Sequence, residues 1–368
     1  MFTISSGLPI ARNGLHRWSY LRVDFFMNVS ISLKTLKRHL ARLFFRHFRS
    51  RKAFALIEGQ TLLSLREVTK GRVEFHKSIC NAGFIPISGG YTCVARNQTF
   101  SFCEEIGIGI GEDKRTLGKN ETIDDGIRAL YRIDFDLNWR IKSIQKLRVI
   151  LDGRTVDPVI FIDDVRLVVY RETILAFANG NGAWPLLGTL GRDQIFLSSA
   201  VANFSAPQKN WMPFEYGKCL FLEYSIHPHV ILKFDLNSAN CTEAYCTTLE
   251  SGSFPTYLHG GAPSLRLNED YFLGVGNSQH MYWFQERYYA AVFYLFEAKP
   301  PFRIVKVSPP LRVQSRSERI QYICGLAFGE DKQSLILSIG ICDCDNRFVL
   351  VSLDQVLALL KDQTASKG

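Results

Sequence analysis

Methionine is scarce in this chain of 368 residues, at four copies, and no run of some 18 apolar residues occurs anywhere in it. With no such run, no transmembrane helix is expected. The first residues also lack the short uncharged apolar block of a secretory signal, so a cytoplasmic location is expected. Neither G-x-S-x-G nor G-x-x-x-x-G-K-[ST] is present, which argues against a nucleophile-elbow hydrolase and a P-loop NTPase. Gly107-Ile-Gly-Ile-Gly111 is not a dinucleotide loop, because its third glycine is misplaced and no helical pattern follows. The nine cysteines are odd in number and sparse, which fits buried thiols better than a disulfide framework. Cys342 and Cys344 have no histidine at zinc-finger spacing, and His227 and His229 lack further ligands, so no metal or cofactor is expected.

Net positive charge is missing from most of the chain. Residues 1–52 hold eleven Lys/Arg against Asp24 alone, a charge of +10, which leaves −1 for residues 53–368. A body so nearly neutral does not suit nucleic acid. The basic charge sits on a helical pattern over 31–52, where Leu33, Leu36, Leu40, Leu43 and Phe44 recur at three- and four-residue spacing among Lys37, Arg38, Arg42, Arg46 and Arg49. Such a helix suits peripheral contact with a membrane surface or an acidic partner, or docking on its own domain with a solvated basic face.

Strand signals dominate from about residue 60. Short apolar runs such as Tyr91–Ala95, Ile174–Ala178, Val230–Leu236, Ala290–Phe296 and Leu335–Ile341 alternate with turns such as Ser88-Gly89-Gly90 and Glu215-Tyr216-Gly217. Polar turns leading into apolar strands recur every 50 to 80 residues or so, roughly the period of propeller blades. A helix is expected only at Ser352–Lys361.

Five segments carry chemistry. Phe161-Ile-Asp163-Asp164-Val165-Arg166-Leu167 sets Asp164 and Arg166 on one face of a strand, about 7 Å apart. That pairing can protonate an oxygen and hold an anion, or form an ordinary strand-end salt bridge. Lys209-Asn210-Trp211 offers a cation, an amide and an indole for an anion and a sugar face, though a tryptophan also serves as core. Tyr224-Ser-Ile-His227-Pro-His229 is a shaped loop from which His229 can donate to a phosphate or hydroxyl. His259-Gly260-Gly261 allows a close backbone approach or makes a tight turn. Asp343-Cys344-Asp345 resembles a nucleotide-sugar metal site but lies in a β-rich run, which speaks against that role.

Taken in order, these segments resemble the five-bladed β-propeller enzymes that include the β-mannoside phosphorylases and the related β-1,2-mannosyltransferases. His76-Lys77-Ser78-Ile79 through Tyr91 and Arg96 is similar to the first-blade pattern, and Asp163-Asp164-Val165-Arg166 to the Glu-Asp-Pro-Arg motif of the second. Lys209 through His229, His259 through Asn277, and Gly340 through Asp343 resemble the third, fourth and fifth. The resemblance implies an all-β, five-bladed β-propeller over residues 61–368, with residues 1–60 a basic helical N-terminal extension. It implies Asp164 as general acid, with Arg96, Arg166, Lys209 and His229 around an anion or leaving group. Asn210, Trp211, Tyr224, His259 and Asp343 complete the expected substrate-binding set. His76-Lys77 replaces Asn-Pro, Val165 replaces Pro, and Asn277 stands where a histidine is common. These departures move the expectation toward a glycosyltransferase passing a hexose, mannose first, between an activated sugar and a glycan. The alternatives are a phosphorylase or hydrolase of β-mannosides and a non-catalytic carbohydrate-binding propeller. The expected partners are a sugar phosphate or nucleotide sugar and an oligosaccharide acceptor.

Overall fold

The computed structural model describes residues 54–70, 72, 79–98, 101–103, 108–110, 127–156, 162–180, 185–199, 210–238, 240–249, 258–282, 286–314, 318 and 320–362. The basic helix expected at 31–52, the segment His76–Ser78 and Lys209 lie outside these residues. The described chain belongs to one compact unit, Phe54–Gly368.

Nearly all of it is antiparallel strand. The first sheet is a meander of Ile79–Ile87, Gly90–Gln98, Ile127–Phe135 and Ile141–Lys146. The second runs Asp163–Tyr170, Thr173–Asn179, Pro185–Leu190 and Gln194–Ser199, and is widened by Arg148–Leu151 and Arg154–Val156. Met212–Tyr216, Cys219–Ser225, His229–Asp235 and Asn240–Thr247 make the third. The fourth is built on Leu258–Arg266, Tyr271–Tyr282 and Glu286–Glu297, and the fifth on Gln321–Phe328, Ser334–Ile341 and Asp345–Ser352. A separate two-stranded ribbon joins Ser101–Cys103 to Ile108–Ile110.

The sequence dictates how the sheets meet. Ser334–Ile341 is buried at every position, as a strand covered on both faces must be. Five apolar clusters each fill the seam between successive sheets. Phe177 and Leu187 meet Leu220 and Phe234 between the second and third. Phe214 and Phe221 meet Phe272 and Phe296 between the third and fourth. The seam between the fifth and first closes the cycle, with Phe348 and Ile336 against Phe84 and Phe135. The first strands of the sheets pack on one another in the same cyclic order. The architecture is therefore all-β and propeller-like.

The first strands come very close at one level. A Cβ on Gly83 would stand 2.1 Å from the Val165 carbonyl oxygen, so only glycine lets these two backbones approach. At that level the pairing slips by a bulge in four sheets, between Cys80 and Gly83, Asp163 and Arg166, Gly260 and Ala262, and Ile323 and Gly325. A bulge re-aims side chains that strict alternation would send into a seam.

Two expectations on boundaries change. Ala55–Ile57, Gly59 and Gln60, within the expected extension, stand in strands that pair with Leu311–Val313 and Asp345–Ser352, so the strands of the body begin a few residues before residue 61. The C-terminal helix is shorter than expected, at Leu353–Ala358 with Ser352 as its cap, because Lys361–Asp362 pairs with Ile304–Val307 as a strand.

Candidate functional site

The starts of the first strands and the turns between second and third strands lie at one end of the sheets, and that end is polar. Asn81, Asp164 and Asn210 open three of the first strands with φ of 51°, 44° and 65°, and Asp343 sits in the Cys342–Cys344 turn with φ 50°. Side chains larger than glycine rarely adopt this region, and each such residue stores on the order of 1 kcal/mol.

Asp164 is the centre of this group. It is 8% exposed, and its Oδ1 accepts from Asn81 Nδ2 at 2.9 Å. Arg96 Nη1 stands 3.6 Å from the same oxygen, while Arg96 Nη2 donates to Asp343 Oδ1 at 3.1 Å. One guanidinium therefore holds two carboxylates brought from the second and fifth sheets. Asp343 is the more open of the two, at 22% side-chain exposure.

Arg166 differs from expectation. The bulge between Asp163 and Arg166 breaks the strict alternation on which a shared face was expected, yet both side chains line one small cavity at this end. The Arg166 guanidinium is buried at 1% exposure. Its Nε donates to the Gly261 carbonyl and its Nη1 to the Asp164 carbonyl at 3.1 Å, and it lies 5.8 Å from the Tyr322 ring centroid. It acts as a strut tying the second sheet to the fourth. Burial pushes the Tyr322 hydroxyl well above its ordinary pKa despite the Arg166 charge, so it stays protonated and donates to the Gly260 carbonyl at 3.1 Å.

Asn210 and Trp211 stand beside Asp164. Asn210 exchanges two hydrogen bonds of 2.9 Å with Asn179, one from its backbone N–H and one to its side-chain oxygen. Asp164, Asn179, Asn210 and Trp211 line a small cavity of about 10 Å³, room for one water. Tyr224 meets Trp211 edge to face at 5.5 Å. His259 lies farther round, bonded to Gln279 at 3.0 Å, with Tyr289 donating to the same oxygen.

His229 is not brought to this group. It is 1% exposed inside the seam of the third and fourth sheets. Its Nδ1 donates to the Phe302 carbonyl at 2.8 Å and its Nε2 faces Glu223 Oε2 at 3.1 Å. Glu223 also accepts from Ser264 and from Tyr294, the latter at 2.6 Å. A histidine committed on both nitrogens inside a core has no donor left for a substrate, so the expected phosphate contact is corrected to a structural pairing.

Sequence reasoning missed Asn81, Asn179, Glu223 and Tyr322. A signal existed for two of them: Asn81 and Glu223 interrupt apolar runs, where a polar side chain must find a partner. Asn277, the departure from the family pattern, bridges the fourth and fifth sheets by accepting from Ile323 N–H at 2.7 Å and donating to the Ile323 carbonyl at 3.1 Å. Among the described residues no cluster of three or more metal-ligating side chains occurs, and no helix is long and apolar enough to cross a membrane.

No protein-family model and no curated protein matches the sequence. Solved structures do resemble the fold. The chain is similar to a beta-1,2-mannobiose phosphorylase from Listeria innocua at 11% identity, covering 77% of this chain and 92% of that one, with a TM-score of 0.53. It is similar to a structure described with the GH130 family of mannoside phosphorylases and its glycoside hydrolases that target beta-1,2 mannosidic linkages in Candida mannan, at 13% identity, 83% and 96% coverage and a TM-score of 0.55. A mannose phosphorylase from Leishmania mexicana in complex with phosphate ion matches at 9% identity, 90% and 100% coverage and a TM-score of 0.50. The shared feature is the propeller-like, all-β fold.

Proposed function

We propose that this chain is a carbohydrate-active enzyme that cleaves β-mannosides, with Asp164 as the general acid. The observation that carries the reading is the Asp164 carboxylate, fixed by Asn81 and Arg96 in a left-handed bulge and sharing Arg96 with the more exposed Asp343. Cleavage of a glycosidic bond needs an acid at the leaving oxygen and a second group to manage the nucleophile on the opposite face. Asp164 fills the first role. Asp343 fills the second, activating a water or, with Arg96, orienting a phosphate. The five larger sheets, with five apolar seams, are read as five blades, and their common end as the substrate mouth.

The fold likeness to mannoside phosphorylases and glycoside hydrolases supports cleavage over transfer from an activated sugar. The placement of the side chains near Asp164 agrees: Arg166 is engaged with the Asp164 and Gly261 carbonyls and His229 with Phe302 and Glu223, so neither is set to grip a nucleoside diphosphate at this end.

The test is turnover of β-1,2-linked mannobiose with and without inorganic phosphate, reading free mannose against mannose 1-phosphate. Asp164→Asn keeps the side-chain shape and removes the acid, so turnover should fall by about two or more orders of magnitude. An Asp164→Asn variant as active as the parent would end the assignment, and turnover only with a nucleotide sugar would replace the reading by transfer.

A further inference from the structure

The end of the sheets opposite Asp164 carries a second feature. A groove of about 860 Å³ opens between the second and third sheets. It is within the size range of small-molecule and oligosaccharide sites. Arg171, at its mouth, lies seven residues along the strand from Asp164, about 23 Å at the usual rise. The groove is thus separate from the candidate active site.

Its lining is unusual for this body. Arg171, Lys218 and Lys233 stand there against one acid, Asp235. The Asp235 carboxylate is already occupied, accepting from Asn237 N–H at 3.0 Å and Ser238 Oγ at 2.8 Å. A body with a net charge of −1 therefore concentrates cations in one cleft. Thr173, Thr189, Ser198 and Thr242 bring hydroxyls to the same lining, together with the buried Leu175, Leu187 and Leu220.

The turns that bear two of the cations are strained. Tyr170 pairs with Thr173 and Tyr216 with Cys219, so each hairpin turns on two residues. Their central residues all have positive φ: Arg171 46°, Glu172 66°, Gly217 58° and Lys218 62°. This turn geometry favours Asn-Gly, and a long charged side chain in it works against stability. The two turns are also clamped together. The Lys218 carbonyl accepts from Tyr170 Oη at 2.8 Å and from Arg171 Nη2 at 3.2 Å, and the Arg171 guanidinium covers the Tyr170 ring at 5.0 Å. Side chains that a turn disfavours, held at a groove that they make basic, call for a role outside folding.

We infer that the groove between the second and third sheets binds an acidic oligosaccharide, with Arg171, Lys218 and Lys233 on its acid groups and the threonine and serine hydroxyls on its ring hydroxyls. Nucleic acid fits less well: the groove's Tyr170 and Phe234 are 6% and 5% exposed, leaving no open ring for base stacking. The inference is independent of the reaction assigned to Asp164.

The test uses the full chain and three probes: a uronic acid hexasaccharide, a neutral hexasaccharide of matching linkage, and inorganic phosphate. Binding is measured by calorimetry at low and at physiological salt. The acidic hexasaccharide should bind at least tenfold tighter than the neutral one, and its advantage should shrink as salt rises. Arg171→Asn with Lys218→Asn should abolish that advantage. The same variant should still fold and melt cooperatively, because asparagine suits both turns and offsets the lost Arg171 contacts to the Lys218 carbonyl and the Tyr170 ring. Retained acidic binding in the variant would assign it to the basic residues 1–52 and overturn the inference. Equal affinity for both sugars, or phosphate alone binding as tightly as the acidic sugar, would overturn it as well. Cleavage of β-mannosides is measured in parallel, and its presence or absence bears on the Asp164 assignment alone.

Discussion

At the scale of single residues, the polar side chains of this body divide by what they accept. Asp134 shows the type. Burial opposes its charge, but Thr92 Oγ1, Ser143 Oγ and the Arg132 guanidinium all donate to it, and together they hold its pKa below the ordinary aspartate value. A carboxyl whose folded pKa is depressed adds stability that is fully present above its unfolded value, near pH 4, and is lost as pH falls through the folded value. Asp134→Asn should therefore be less stable than the parent at pH 7, and the difference in urea midpoint should close below about pH 4. A difference that stayed constant down to pH 2.5 or so would show that the donors do not act through the charge. The same residue-scale logic explains what was legible. Asp164 stood out in the sequence as a carboxylate inside an apolar strand, while Arg96 and Asp343 were singled out by the family resemblance, and the structure brings the three side chains together. That His229 would choose Glu223 was not legible, since Glu223 lies on the neighbouring strand of its own sheet and only the register pairs them.

At the scale of elements, strands were legible and bulges were not. The apolar runs Tyr91–Ala95 and Val230–Leu236 report covered strands, and those strands stand where expected, as Gly90–Gln98 and His229–Asp235. A bulge leaves no mark in that pattern. Asp164 and Arg166 read as neighbours on one face, yet the extra residue between Asp163 and Arg166 sends the carboxylate toward Asn81 and the guanidinium toward Gly261. Gly83 is the partner of that bulge, and it gives the element its prediction. Alanine there would drive a methyl group to 2.1 Å from the Val165 oxygen, against backbone that cannot swing away. Gly83→Ala should cost about 1–3 kcal/mol by overpacking. Because the displaced backbone carries Asp164, turnover should drop beyond what the unfolded fraction explains. A variant with parental melting temperature and turnover would mean that the strands are free to part at this level.

At the scale of the whole molecule, the propeller-like body has two chain ends to join, and this chain joins them with residues at the boundary of the expected extension, Ile57, Gly59 and Gln60 on one side of it and residues 61–66 on the other. Gly59–Ser64 is the outer strand of the fifth sheet, whose other strands come from Gln321–Ser352, so the first and last parts of the body are woven into one sheet. Ser64 Oγ donates to both oxygens of the buried Asp345, at 3.0 and 2.9 Å, and Arg66 N–H donates to one at 3.0 Å. Leu63 and Leu65 fill the seam with the first sheet, and Ile57 fills the seam of the fourth and fifth. Two deletions separate closure from extension. Removing residues 1–53 leaves every one of these contacts and should leave a single cooperative transition. Removing residues 1–64 exposes those seams and takes the Ser64 hydroxyl from Asp345, which keeps Asn346 N–H and Arg347. Ile57 and Leu63 are worth about 1.5–3 kcal/mol each, and losing the Ser64 hydrogen bond to Asp345 costs about 1 kcal/mol more. The total, on the order of 5 kcal/mol, matches the lower range of a domain's entire stability. The longer deletion should therefore give a chain that melts without cooperativity or fails to accumulate, as judged by circular dichroism on heating. Equal melting of the two truncations would show that the ring closes without its N-terminal strand.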